Sequence, residues 1–447
     1  MTFALSPDSR ASLRELLQLA WPVVLARIGI MTMGLTDAIV VGNYAKQELA
    51  FHSLAWAPTS VFVTTAVGLM MGVQVMTARL IGEGRRAEVG GVLRRGLVYA
   101  LQLGFGALVL LVAFGPWCLR QMNLDTGLAE GASPALIVFA LSMPFYLVSV
   151  AAQFFLEALH RPKAGMVAMW VANGVNLLLN LVLVPDLLGF GVDGAEASAW
   201  ATLAARASLA VFLIVFILRL PEARALGVFD KPRPDPKTAW EQTKVGFGAG
   251  SSYFVEVGAF AAMTFFAGML GANETAAWTV VLNVSAIVFM VPMGLSSATA
   301  VLVGRSYGAA DRAGVLRGGF VGIAVVSALT LLVALLVWPT AELIVSAYNR
   351  DPVLVALAAP ALVLATLFFV ADGIQVVAAQ ANRAAGDVWW PTILHVVSYG
   401  AIMTPLGFWL SRHGGVNGMI WAVIIASLVA AALLTFRFQR IARRLPG

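Results

Sequence analysis

The sequence predicts an all-α integral membrane protein with twelve transmembrane helices in two pseudo-symmetric six-helix lobes. Three observations lead to this prediction: an extreme apolar composition, twelve apolar segments of spanning length, and an internal repeat that divides the segments six and six. Of the 447 residues, 60% are hydrophobic and only 12% are charged, whereas soluble domains are roughly half apolar and a quarter charged. A soluble chain of this length could not bury so much apolar surface, so a lipid bilayer is its expected environment.

Each predicted span is close to the roughly 20 apolar residues that cross a bilayer as a helix. In chain order the spans are 16–42, 54–78, 96–117, 134–158, 165–185, 195–218, 246–271, 276–303, 318–340, 355–380, 390–410 and 416–436. The first is not a cleaved signal peptide, because it is too long and contains Arg27 and Asp37.

The basic residues give the orientation of these spans. If the N-terminus is cytoplasmic, 23 of the 29 Lys and Arg residues fall in cytoplasmic segments. Four fall in outer loops, at Lys46, Arg120, Arg350 and Arg412. This asymmetry follows the positive-inside rule, so both termini are expected in the cytoplasm. The net charge of +6 then needs no nucleic-acid partner.

A polar stretch at 220–244 divides the spans into two halves, predicted as an N-terminal lobe (1–219) and a C-terminal lobe (245–447). Three prolines within it are expected to stiffen the connection and to break any helix. They are Pro232, Pro234 and Pro236.

The two halves repeat four short motifs in the same order, at an offset of 222 to 226 residues. The matches pair Arg79 with Arg305, Val92 with Val315, Gln153 with Gln375, and Gly191-Val-Asp-Gly194 with Gly415-Val-Asn-Gly418. Because six spans separate equivalent positions, the repeats have the same orientation. We expect a pseudo-two-fold axis along the membrane normal and a substrate site between the lobes near the midplane.

Four oxygen-bearing side chains lie at one depth in the first lobe. A rise of about 1.5 Å per residue puts Asp37, Asn180 and Thr202 roughly 10 Å below the outer face, and Asn176 about 15 Å below it. Asn176 and Asn180 share one helix face. A carboxylate with amide and hydroxyl oxygens suits a proton or a hard monovalent cation. The simpler alternatives are helix–helix contacts for the neutral residues and an ion pair of Asp37 with Arg27 or Arg206.

Two carboxylates form a second candidate site, in the C-terminal lobe. Glu256 and Asp372 both lie roughly 16 Å from the inner face, close to the midplane of a ~30 Å hydrocarbon core. Ionisable residues are costly in a bilayer, and those that occur are functional hypotheses by default. This pair is expected to share a proton or to attract a cation.

Several segments resemble the MATE family of multidrug and toxic compound extrusion transporters, in particular its NorM-like branch. The segments are Leu16-Leu-Gln-Leu-Ala-Trp-Pro22 followed by Asp37 and Gly42, the sequence around Glu256 between Gly248 and Gly271, Pro-Met-Gly-Leu at 292–295, Asp372-Gly-Ile-Gln375 and Gly191-Val-Asp-Gly194. Their order along essentially the whole chain makes the resemblance specific.

The resemblance implies a secondary active antiporter that exports amphipathic organic cations, as drugs or toxic metabolites, in exchange for protons or sodium by alternating access. It implies that Asp37, Asn176, Asn180 and Thr202 form the first-lobe cation site, and that Glu256 and Asp372 form the acidic pair of the second. We expect a monomer surrounded by lipid, without a cofactor beyond the coupling ion. Some NorM-like members have tyrosine where this chain has Phe368, which leaves the choice between proton and sodium open.

Other functions fit the sequence less well. A lipid-linked oligosaccharide flippase of the same superfamily is the main alternative, but the predicted cleft holds more acids than bases. The loop after span 2 lacks the Asp-Arg core of major-facilitator transporters. An enzyme is not expected, because the single cysteine (Cys118) and four scattered histidines form no metal or nucleophile–base pattern.

Overall fold

A computed structural model describes residues 7–121, 127–231 and 235–444. Every long regular element in these ranges is a helix. The first half of the chain contains α1 (Pro7–Tyr44), α2 (Lys46–Gly82), α3 (Val89–Gln121), α4 (Leu128–Leu141), α5 (Met143–Ala158), α6 (Pro162–Leu183) and α7 (Gly194–Leu218). The second half contains α8 (Pro236–Leu270), α9 (Ala272–Gly308), α10 (Arg312–Tyr348), α11 (Pro352–Ala384), α12 (Trp389–His395), a π-helical segment (Val396–Met403) and α13 (Thr404–Ala442).

The twelve predicted spans lie within these helices to within two residues, and span 134–158 is divided between α4 and α5. In the described part of the chain, eleven helical stretches are long and apolar enough to cross a membrane. The longest, Trp389–Ala442, contains the last two spans. Gly415 breaks it between them with a left-handed φ of 55°. Because lipid offers no hydrogen-bond partners, helices that satisfy their own backbone are the structures expected of such apolar segments.

The polar connection is partly helical. Pro236 does not break a helix, as the sequence suggested, but starts α8. A proline at the first helical position loses nothing, because its missing N–H would have had no partner there. The other two prolines, Pro232 and Pro234, lie outside the described residues.

Contacts within the chain define two compact units. The first lobe consists of residues 25–81 and 85–250, and the second of residues 1–24, 82–84 and 251–447. This grouping differs from the halves of the sequence at both ends, because the start of α1 groups with the second lobe and the start of α8 with the first.

Small residues bring the helices of the first lobe close together. One face of α3 is buried and carries Gly96, Ala100, Gly104 and Gly115. A Cβ atom at Gly104 would lie 2.5 Å from the Cα of Pro144 on α5. Small residues at such crossings are typical of membrane helices, which associate through close packing.

Each glycine motif of the repeat places a left-handed glycine directly before a capped amide, but at different positions of the motif. Gly194 is the last residue of the first motif, Gly415 is the first residue of the second, and each has a φ of 55°. The following amide, of Ala195 in the first lobe, donates to Oε2 of Glu48 over 2.8 Å. In the second lobe the amide of Val416 donates to Oε2 of Glu274, also over 2.8 Å. A glutamate near the start of α2 or α9 therefore caps the last span of its own lobe.

Candidate functional site

Three helices of the first lobe position the four polar residues predicted from depth. Asp37 lies on α1, Asn176 and Asn180 lie one turn apart on α6, and Thr202 lies on α7. The spacing of four residues on α6 directs both amides to one side of the helix. The exposed fraction of each of these side chains is 3% or less. The four residues are therefore brought together out of contact with solvent.

The carboxylate of Asp37 is the centre of this cluster. Its Oδ1 accepts hydrogen bonds from the side-chain amides of Asn176 (2.9 Å) and Asn180 (2.7 Å). Its Oδ2 accepts a hydrogen bond from the hydroxyl of Thr202 over 2.6 Å. The amide of Asn176 also approaches the Thr202 hydroxyl at 3.3 Å. Three neutral donors thus surround one buried negative charge.

Neither Arg27 nor Arg206, the two partners considered from the sequence, forms an ion pair with Asp37. Arg27 instead pairs with Glu157, with 3.3 Å between Nη2 and Oε1. Arg206 donates to the hydroxyl of Ser142 over 2.7 Å and lies over the rings of Trp56 and Tyr146. The structural ion pair considered from the sequence is therefore absent from the described residues.

Two acceptors beside Asp37 have no donor in the described part of the chain. They are the Oδ1 atoms of Asn176 and Asn180. A buried polar atom without a partner is costly, and each instance calls for an explanation. Together with the carboxylate and the Thr202 hydroxyl, these atoms form an oxygen-rich cluster of the kind that hard cations prefer.

Glu256 and Asp372 are brought together in the second lobe by Gln375, which the sequence analysis noted in two motifs but did not count as a site residue. The amide of Gln375 donates to Oδ1 of Asp372 over 3.1 Å and to Oε1 of Glu256 over 3.4 Å. Gln375 lies three residues after Asp372 on α11, and Glu256 lies on α8. The second carboxylate oxygen of Glu256, Oε2, is buried and has no hydrogen-bond partner in the part of the chain that the structure describes. One amide therefore bridges two acids, and Glu256 on α8 accepts fewer hydrogen bonds than Asp372.

Tyr399 also reaches this pair and was missed from the sequence. Its hydroxyl lies 3.5 Å from Oδ1 of Asp372. Tyr399 belongs to the π-helical segment and is fully buried. Phe368, whose missing hydroxyl had left the coupling ion open, is buried one turn before Asp372 on the same helix.

A buried arginine lies near the acidic pair. Arg383 was counted from the sequence among the cytoplasmic basic residues, but its exposed fraction is only 1%. Its Nη2 donates to the hydroxyl of Ser252 over 2.5 Å, and Ser252 contacts the hydroxyl of Thr392 at 3.2 Å. Arg383 thus connects α11, α8 and α12. Arg161 lies 222 residues earlier, at the same offset as Gln153 from Gln375, but it is half-exposed and paired with Glu222.

Both halves of the chain match a model of a known protein family. The MatE family model matches the chain twice, over residues 22–182 and 249–409. The two matched ranges are equal in length and shifted by 227 residues, close to the offset of the repeated motifs.

Relatives and solved structures extend the comparison over nearly the whole chain. It is 55% identical over 427 residues to the probable multidrug resistance protein NorM of Caulobacter vibrioides, which covers 95% of this chain and 91% of that protein. It is 29% identical over 427 residues to the probable multidrug resistance protein NorM of Neisseria meningitidis, covering 94% and 92% respectively. A structure described as the outward-facing conformation of a multidrug resistance MATE family transporter matches with a TM-score of 0.90 at 18% identity, covering 98% of this chain and 97% of that one. The predicted fold of twelve transmembrane helices in two lobes is confirmed.

Proposed function

The chain belongs to the MatE family of multidrug efflux transporters, and we propose that it is a secondary active antiporter driven by protons or sodium ions. Its substrates are amphipathic organic cations, drugs or toxic metabolites, which leave the cell as the coupling ion enters. It works as a monomer in the bacterial inner membrane, with both termini in the cytoplasm and access alternating between the two faces.

The environment of Asp37 is the observation that carries this proposal. Its carboxylate is buried and hydrogen-bonded only to neutral donors on α6 and α7. A buried charge without a counter-ion is unfavourable, whereas a bound small cation neutralises it. Loading an ion therefore stabilises this lobe in a way that a permanent ion pair would prevent.

The two asparagines adapt the cluster to a bound ion. An amide carries donors on one side and an acceptor oxygen on the other, so a half-turn exchanges their positions. The free carbonyl oxygens of Asn176 and Asn180 then face a cation as ligands. The hydroxyl of Thr202 supplies a lone pair or a proton as required.

The acidic pair of the second lobe provides a second binding site for a positively charged ligand. Glu256 and Asp372 share one bridging amide, so two negative charges rely on few donors. Mutual repulsion favours binding of a coupling ion or of the cationic group of a substrate. Coupling then requires the ion and the substrate to stabilise different conformations, because a ligand that binds both equally shifts no equilibrium.

Purified protein in proteoliposomes tests the proposal directly. A fluorescent amphipathic cation is offered with either a pH gradient or a sodium gradient imposed, and its movement is followed. Transport against the substrate gradient under one of the two ion gradients is expected, and the active gradient identifies the ion. Transport that is the same with and without both gradients would show a passive pathway and refute antiport.

Two carboxyl-to-amide variants link the result to the site. Asp37→Asn is expected to abolish ion-driven transport, because the side chain no longer carries a charge to be neutralised. Asp351→Asn is the matched control, since Asp351 is an exposed helix cap on α11 and asparagine caps a helix equally well. Full transport by Asp37→Asn, at equal protein levels in the membrane, would remove Asp37 from the mechanism.

A further inference from the structure

The hydroxyl of Tyr399 lies between two helices of the second lobe. It is 3.5 Å from Oδ1 of Asp372 on α11 and 3.5 Å from the hydroxyl oxygen of Ser427 on α13. A strong O–H···O bond is about 2.7–2.8 Å long, so neither contact is at full strength. The hydroxyl has one proton, which it can donate to only one of the two oxygens at a time.

The contacts of Tyr399 hold its ring in place but leave its hydroxyl proton able to point to either acceptor. The ring belongs to the π-helical segment, where the carbonyl of Tyr399 accepts both the backbone N–H of Thr404 and, over 3.0 Å, its hydroxyl. Such turns frequently occur at functional sites. On the preceding turn, the ring of His395 meets the tyrosine ring edge-on, with 5.7 Å between centroids. Both ring nitrogens of His395 are buried without a hydrogen-bond partner among the described residues, so His395 holds Tyr399 by packing.

Two charged groups act on this hydroxyl, Glu256 on α8 and Asp372 on α11, whereas α13 contributes the neutral Ser427. His395 on α12 packs against the tyrosine ring. Arg383 acts on Glu256 and His395, and Tyr253 acts on Arg383. The carboxylate of Asp372 is the one among them within hydrogen-bond distance of the hydroxyl.

We propose that Tyr399 is a positioning residue for the acidic pair, and that it transmits the charge of this pair to α13. When Asp372 is charged, the hydroxyl donates to its Oδ1 and competes with the coupling ion for that oxygen. When an ion neutralises the pair, Asp372 becomes the weaker acceptor and the hydroxyl turns to Ser427. Ion binding between α8 and α11 thereby changes a hydrogen bond to a third helix. The inference rests on the proposed antiport.

Opposite effects of two variants test this inference. Tyr399→Phe keeps the ring and its contact with His395 but removes the competing donor. It is expected to lower the ion concentration for half-maximal transport about fivefold, the effect of one hydrogen bond. The maximal rate is expected to fall, because the ion leaves more slowly. Ser427→Ala is expected to raise the half-maximal ion concentration, because the tyrosine then has only Asp372 to donate to.

The measurement uses proteoliposomes with the ion gradient that drives the wild-type protein. Tyr348→Phe is the control, since this tyrosine lies half-exposed at the end of α10, and its variant is expected to match the wild type. A Tyr399→Phe protein with an unchanged half-maximal ion concentration, or a shift in the same direction in both test variants, would overturn the inference. If Tyr399→Phe does not reach the membrane, the sign of the Ser427→Ala shift decides. If the proposed function is wrong, the wild-type protein itself shows no gradient-driven transport, and this outcome is distinct from those of the variants.

Discussion

Asn180 on α6 donates its side-chain amide to Oδ1 of Asp37 on α1 over 2.7 Å. Asn176 donates to the same oxygen, while Thr202 on α7 donates to the other. The charge of one residue therefore holds three helices together through neutral donors. An ion that neutralises Asp37 weakens all three hydrogen bonds at once. Ion binding therefore changes the contacts of α1 with both α6 and α7.

The hydroxyl of Thr202 is expected to set how tightly the first lobe binds its ion. Thr202→Val keeps the shape of the side chain and removes the shortest hydrogen bond to Asp37. A hydrogen bond to a charged group contributes about 1.5–3 kcal/mol, so the charged carboxylate becomes less stable by a similar amount. We expect the proton concentration for half-maximal transport to fall about tenfold or more if the protein is proton-coupled, measured in proteoliposomes over a series of pH values.

Thr202→Ser is the matched control for that experiment. Serine keeps the hydroxyl and loses a methyl group, so its half-maximal proton concentration is expected to stay near that of the wild type. If serine and valine produced the same shift, packing rather than the hydrogen bond to Asp37 would be the cause.

The buried ion pair of Arg27 and Glu157 is expected to stabilise the fold without taking part in coupling. Glu157 also accepts from the amide of Gln74 over 2.7 Å, and Arg27 lies over the ring of Phe154. Glu157→Gln leaves a buried arginine without its counter-charge, which typically costs about 3–5 kcal/mol. The double variant Arg27→Met, Glu157→Leu is expected to lose less, because both charges leave together. Thermal unfolding in detergent compares the two variants with the wild type, and a double variant that loses as much stability as Glu157→Gln or more would contradict an ion pair.

The fold was predictable from the sequence because its main determinants are local. Apolar runs of spanning length predict transmembrane helices. The distribution of basic residues among the loops predicts the side of the bilayer on which each loop lies. The stretch Trp389–Ala442 was also predicted as two spans, 390–410 and 416–436, and Gly415 separates them in the structure. The end of the polar connection was less predictable, since proline stops a helix in its interior but starts one at its first residue, as Pro236 does.

The polar clusters were predictable only where depth alone brings residues together. Helical rise placed Asp37 level with Thr202, and the structure has them in contact. The spacing of Asp372 and Gln375 also put both on one face, a signal that could have identified the bridging amide. Tyr399 offered no such signal, because its approach to Asp372 depends on how α11 packs against the span that follows it. Glu157 was overlooked because a polar residue at the end of a span usually faces water.

Two equivalent glutamates are expected to stabilise the two lobes to a similar degree. Glu48 and Glu274 each accept from the amide that follows a left-handed glycine. Removing a helix cap costs about 1 kcal/mol, so Glu48→Ala and Glu274→Ala should each lower the unfolding temperature by a few degrees. The glutamine variants keep an acceptor oxygen and should lie between alanine and wild type. A loss at one glutamate alone would show that the repeat is not equivalent in its energetics.

The exposed thiol of Cys118 offers a test of the proposed orientation. It is the chain's single cysteine and lies near the end of α3, which should face outward if the N-terminus is cytoplasmic. A membrane-impermeant maleimide is therefore expected to label the protein in intact spheroplasts. In the control, Cys118→Ser is combined with Ala87→Cys, whose site is exposed in the short turn between α2 and α3. That protein should be labelled only after the membrane is permeabilised, because the turn carries Arg85 and Arg86 and positive loops remain inside. The reverse pattern would invert the orientation of every span, and the face on which Asp37 first meets the coupling ion would invert with it.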